Sequence, residues 1–180
     1  VIPYLNNDTV SIFVASDKQA RVKANILLTL ISFDGKEIKK ETFPVVIEPN
    51  KGILAFQKNI DYFVNEKNLN NTLLLVELKD SKSNLIANDI LYFVKPMNLN
   101  LKKPNISKKI NSKNGKYEII LKSDVLAKNV FLSLENADGT FSDNYFDILP
   151  GREVIVTIDN TKGNLDIEKE LQIFDLTSSY

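Results

Sequence analysis

Apolar residues alternate with polar ones along most of this chain, the period of strands with one face in a core. Val10, Ile12 and Val14 lie in step, and Val22, Ala24, Ile26, Leu28 and Leu30 follow, with Lys23, Asn25 and Thr29 facing the other way. Asp34-Gly35 ends that strand and opens another from Glu37 to Ile47. Both residues tolerate a positive φ, so the pair predicts a tight hairpin. Pro49-Asn50-Lys51-Gly52 predicts a second turn, and strands follow at about 53–60, 72–79 and 85–94. The piece from Asp61 to Asn70 is the one place for a short helix or an irregular loop, anchored by Tyr62, Phe63 and Leu69. No stretch keeps the 3.6-residue period of a long amphipathic helix.

Residues 95–116 change character. Pro96 and Pro104 bracket a short alternation of Leu99 and Leu101, and six lysines fall between Lys102 and Lys116. Prolines hold the chain extended and lack the amide a central strand needs, so this segment reads as a junction between domains 1–97 and 98–180. Beyond it the alternation resumes with Tyr117, Ile119 and Leu121, then Val130, Leu132 and Leu134, then Val154, Val156 and Ile158. Leu149-Pro150-Gly151 predicts a turn in which proline presets φ and glycine takes the left-handed position. Leu171 and Ile173 begin the last strand. Six or seven strands in about 80 residues, with turn signals every 8–12, are the signature of a β-sandwich. The expected architecture is all-β: two immunoglobulin-like β-sandwiches in tandem.

Composition narrows what such modules do. The 180 residues are 43% hydrophobic and 26% charged, ordinary for a globular protein. Twenty-three basic and 23 acidic residues balance to zero, which argues against nucleic acid as a partner. No apolar run approaches the length of about 18 residues that a membrane span needs, so a soluble chain without a membrane partner is expected. There is no His and no Cys. That removes a Ser-His-Asp triad, a Cys-His pair, a zinc site and a redox dithiol together, and no cofactor is expected. The opening VIPYLNND reads as mid-protein text, the mark of a fragment of something longer.

Carboxylates and aromatics remain as candidate chemistry. In a regular strand Asp143 and Asp147 share a face about 13 Å apart, too far for a retaining glycosidase pair. Asn136-Ala137-Asp138-Gly139 echoes half of a calcium loop but lacks the later acidic ligands, and reads as a turn. Phe131 interrupts an otherwise polar strand face and marks a contact with a neighbouring domain. Phe141 and Tyr145 can share a face, with Phe131 the candidates for an interface or a sugar contact. Phe146 and Ile148 are expected to enter the core, leaving the Tyr145 side at a surface or a domain contact. Tyr62, Phe63 and Tyr92 form a second aromatic group.

The stretch FLSLENADGTFSDNYFDILPG, residues 131–151, resembles the C-terminal immunoglobulin-like domain of β-mannosidases of glycoside hydrolase family 2. The words that carry it are Ser142, Asp143, Asn144, Tyr145, Phe146 and Asp147, closed by Leu149, Pro150 and Gly151. Upstream, LVELKDSKSNLIANDILYFVKP, Leu75 to Pro96, resembles the end of the preceding immunoglobulin-like domain, though Asn88 lies further from Tyr92-Phe93 than in that family. The resemblance implies accessory domains of an enzyme that removes terminal β-mannosyl residues by the retaining two-carboxylate route. In that family both catalytic glutamates sit on a (β/α)₈ barrel, which this chain lacks, so no catalytic residue carries over. The implied partner is an upstream catalytic barrel of the same polypeptide. Carbohydrate is a second candidate partner, and a polysaccharide-degrading parent favours a periplasmic or extracellular setting. A carbohydrate-binding module and an adhesion-type immunoglobulin-like array stay open as alternatives.

Overall fold

The computed structural model describes residues 1–113, 116–159 and 166–179. The chain divides into two units, Val1–Ser32 with Lys36–Asn100, and Phe33–Gly35 with Leu101–Tyr180. Four antiparallel sheets build two immunoglobulin-like sandwiches. Among the described residues no helix is long and apolar enough to cross a membrane.

The first sandwich holds β1 (Ile2–Asn6), β2 (Thr9–Ala15), β3 (Val22–Ser32), β4 (Glu37–Ile47), β5 (Gly52–Asn59), β6 (Thr72–Asp80) and β7 (Leu85–Tyr92). One sheet runs β1-β2-β5 and the other β4-β3-β6-β7. The alternation delivers Val10, Ile12 and Val14 from the first sheet against Ile26, Leu28, Leu74 and Val76 from the second, all buried. Each such side chain contributes about 1.5 to 3 kcal/mol. The piece at 61–70, expected as a short helix or an irregular loop, holds two short 3₁₀ turns, Ile60–Tyr62 and Glu66–Asn68. Phe63 and Val64 enter the core there, whereas Tyr62 stays 38% exposed.

Three details depart from the sequence reading. Of the Asp34-Gly35 pair only Gly35 has a positive φ, at +90°, and the Ser32 N–H donates to the Lys36 carbonyl at 3.0 Å. The hairpin therefore closes over a longer loop than a two-residue turn. β1 escaped the pattern because its apolar residues Ile2 and Tyr4 point outward. β6 is buried at every position from Thr72 to Leu78, so the unbroken run TLLLVEL marks a strand covered on both faces.

The second sandwich holds β8 (Ile106–Lys113), β9 (Lys116–Ser123), β10 (Ala127–Leu134), β11 (Thr140–Phe141), β12 (Phe146–Ile148) and β13 (Val154–Asp159). A single helical turn, α1 (Ile167–Glu170), precedes β14 (Leu171–Phe174). The sheets are β11-β13-β9-β8 and β12-β10-β14, closed over Ile119, Leu121, Val130, Leu132, Ile148, Val156 and Ile158. The lysine-rich segment read as a junction contains β8, an edge strand paired with β9. Ile106 and Ile110 lean on the core while lysines occupy much of the rest, the usual protection of a sheet edge. The Leu-Pro-Gly turn forms as expected: Gly151 has φ +74°, and the Arg152 N–H donates to the Leu149 carbonyl at 3.1 Å.

Candidate functional site

The stretch Ser142 to Asp147 is not the regular strand its alternation predicts. β11 pairs with β13 in one sheet and β12 pairs with β10 in the other, so residues 142–145 carry the chain from sheet to sheet. Backbone ladders are interrupted at such a crossing, and polar side chains take their place. The Ser142 N–H donates to the Thr157 carbonyl, and the Thr157 N–H donates to Ser142 Oγ, both at 2.9 Å. Asn144 behaves like a strand partner for Leu132. Its Oδ1 accepts from the Leu132 N–H at 2.7 Å, and its Nδ2 donates to the Leu132 carbonyl at 2.9 Å. Asp147 Oδ1 accepts from the Asn129 N–H at 2.7 Å, and Oδ2 faces Lys128 Nζ at 3.3 Å.

These bonds settle the carboxylates. Asp147 and Lys128 expose only 13% and 10% of their side chains, a buried ion pair committed to holding β12 on β10. Asp143 and Asp138 lie in water. In the first unit a cleft of about 230 Å³ is lined by Asp8, Asn59, Asp61 and Glu66, but its three acids are exposed. None of the three is secluded from water, whereas the paired carboxyls of general acid–base catalysis sit in unlike surroundings. Among the described residues no three His, Cys, Asp or Glu side chains group closely enough to hold a metal.

The aromatic candidates separate. Phe141 pairs with Ile158 and packs against the second core. Phe131 and Tyr145 come together, with ring centroids 5.0 Å apart and planes 25° from parallel. Phe174, which the sequence reading passed over, lies directly across from Phe131, at 6.3 Å and 29°. Its signal was the alternation of β14, which puts Ile173 inside and Phe174 outside. Tyr145 is 68% exposed and sits at φ +62°, left-handed for a bulky side chain, so it flanks a strand end rather than occupying one. Its ring covers Phe131 and is not itself buried. Ile148 is fully buried and Phe146 packs at the core's margin, as expected.

Geometry limits what this row can bind. Two rings side by side in one plane need centroids more than about 6 Å apart, because carbon atoms approach no closer than 3.5–4 Å. Phe131 and Tyr145 at 5.0 Å are therefore stacked face to face and do not form one flat platform for a sugar. The pair stabilises the sheet surface by about 0.5 to 1.5 kcal/mol.

The other aromatic group is built around Tyr62, which meets Phe63 edge-on at 5.2 Å and Phe56 at 6.2 Å. Lys39 Nζ lies 3.5 Å above the Tyr62 ring and 3.1 Å from Glu41 Oε1. The Tyr62 hydroxyl donates to the Glu41 carboxylate, with oxygens at 2.7 and 2.9 Å. That bond first, and Lys39 beside it, hold the Glu41 carboxyl below its ordinary range. The same bond raises the Tyr62 hydroxyl. All these groups satisfy one another, so the cluster is a clasp between β4 and the 60–63 turn.

Comparison with known proteins agrees with this picture. A family profile described as a mannosidase Ig/CBM-like domain matches residues 8–98, and a mannosidase profile described as an Ig-fold domain matches residues 101–179. A search of curated protein sequences finds no match. Among solved structures, the β-D-mannosidase of Dictyoglomus thermophilum superposes with a TM-score of 0.77 at 21% identity, covering 97% of this chain and 21% of that one. The exo-chitosanase of Amycolatopsis orientalis gives 0.56 at 14% identity, covering 92% and 25%. Its E541A variant with PNP-β-D-glucosamine gives 0.55, also at 14% identity, with the same coverage. The chain thus spans a fifth to a quarter of the length of these glycosidases. With one profile matched over each sandwich, in order, this chain belongs to the immunoglobulin-like domains of the mannosidases.

Proposed function

We propose that this chain is the non-catalytic C-terminal accessory part of a glycoside hydrolase family 2 β-mannosidase. The parent hydrolyses terminal β-mannosyl residues of oligosaccharides by a retaining route, with both carboxylates supplied by an attached barrel. The observation that carries this reading is the ordered match of two mannosidase domain profiles across both sandwiches. Both matched profiles are mannosidase domains, which supports mannosyl units for the parent. The exposed acids and the stacked Phe131–Tyr145 pair support a scaffolding role over catalysis or a sugar platform. Export to the periplasm or beyond suits such a parent.

The polypeptide encoded by the full reading frame should turn over nitrophenyl β-mannoside in preference to nitrophenyl β-glucosaminide, whereas the 180-residue chain should turn over neither. Turnover by the short chain, lost in Asp143→Ala or Asp147→Ala, would overturn the reading. The proposed domains are 1–97 and 98–180. First tryptic cuts at Lys102 or Lys103 support that division, and first cuts within 20–33 defeat it.

A further inference from the structure

The outward face of β1, β2 and β5 is unlike a surface meant for water. Ile2 is directly opposite Phe13, and Phe13 opposite Leu54, so three large apolar side chains form one row across three strands. They are 57%, 41% and 49% exposed, and Tyr4, two residues along β1, is 55% exposed beside them. The next row is Tyr4, Ser11 and Gln57, in which Gln57 Nε2 donates to Ser11 Oγ at 3.0 Å. By strand register no outward position of these three strands is Asp, Glu, Lys or Arg, and Lys58, which is exposed on the edge strand β5, stands opposite the buried Val10. Exposed sheets that stay in water carry charges to prevent association, and a contiguous apolar row without them marks a covered surface.

We propose that this face is the docking surface for the catalytic domain of the same polypeptide. The inference rests on the functional reading above and names the surface through which that role is exercised. Two observations choose this occupant. The matched glycosidases are four to five times longer than the segment this chain covers in them, so their equivalent segment has a large body of the same chain available to it. Any domain joined ahead of Val1 is tethered at the start of β1, the strand that contributes Ile2 and Tyr4. Such a tether raises the local concentration of that domain at this face far above that of any free partner. The tyrosine hydroxyl and the Ser11–Gln57 pair give the apolar row a polar border, the usual anatomy of an interface.

The test uses single cysteines in the full-length polypeptide, because this region has none of its own. Leu54→Cys and Ile2→Cys are each reacted with a maleimide, and the modified peptide is followed by mass spectrometry. Rates are referred to those of the same variant unfolded in urea. Docking predicts at least tenfold protection at both positions, unchanged on dilution. Protection below tenfold overturns the proposal, and so does protection that fades on dilution with the loss of a dimer, which makes the occupant a second copy. A reading frame without a glycosidase domain defeats the functional reading itself. Weak protection in a polypeptide that has the domain defeats only the docking surface.

Discussion

Two outward sheet faces of this protein share a strand pattern and differ in what occupies the polar positions. On β8, β9 and β13, Ile155 is 54% exposed, as open as Ile2 or Leu54. It sits across from Ile120, and Ile120 across from Lys109. Lys122 and Glu153 form an ion pair at 2.7 Å on one side, and Glu118 occupies the other. On β1, β2 and β5 the same kind of apolar exposure has no charged residue at the outward register positions of those strands. A single exposed isoleucine among charges is ordinary surface. A row of apolar side chains without them is an interface in waiting, and the difference lies wholly in the neighbours.

The largest expected effect belongs to a charge that neither face shows. Asp147→Ala takes away the carboxylate that pairs with the buried Lys128 and accepts from the Asn129 N–H, and should cost about 3 to 5 kcal/mol in denaturant unfolding of the full-length polypeptide. A cost under 1 kcal/mol would show that the pair is as solvated as a surface one. Next comes the contrast between the faces. Phe13→Lys in the full-length polypeptide should lose about 2 to 3 kcal/mol, by placing an unpaired ammonium in a covered interface. Ile155→Lys, on the charged face, should stay within about 0.5 kcal/mol. Equal losses would erase the distinction between the two surfaces.

Smaller effects sharpen it. Asn144→Ala removes both bonds to the Leu132 backbone and should cost about 1 to 3 kcal/mol, read by the same unfolding curves. Asn144→Asp keeps the acceptor and loses the donor, so it should recover part of that loss. The smallest effect is a pH dependence. Glu41 is held below its ordinary 4.5, so its contribution is present above that value and fades as pH falls through the lowered one. Tyr62→Phe removes the largest cause of the shift. The variant's stability should then fall less steeply than the parent's below pH 4.5, as measured by thermal unfolding against pH.

Much of the fold was legible because burial alternates with the strand period. The inward residues of β2, β3, β9, β10 and β13 could be named from spacing alone, as could the outward Phe131 and the Leu-Pro-Gly turn. Elements whose apolar residues face outward, or whose lysines mask a pair of isoleucines, were not legible; β1 and β8 are those two cases. The crossing at Ser142–Tyr145 was hidden for another reason. Asn144 bonds to Leu132, twelve residues away, and no local rule predicts that a side-chain amide will stand in for a strand. Tyr145 gave the appearance of a strand residue because its neighbours alternate, but its positive φ is set by that crossing.

The sequence by itself determined the sides of each strand, the class of the fold and the absence of His and Cys chemistry, since side-chain period and composition are local properties. Only the tertiary structure brought Phe174 beside Phe131, sent Phe141 to the core and aligned Ile2, Phe13 and Leu54 in one row. Those are matters of register between strands far apart in the chain, and alternation specifies which way a residue points without specifying what stands next to it.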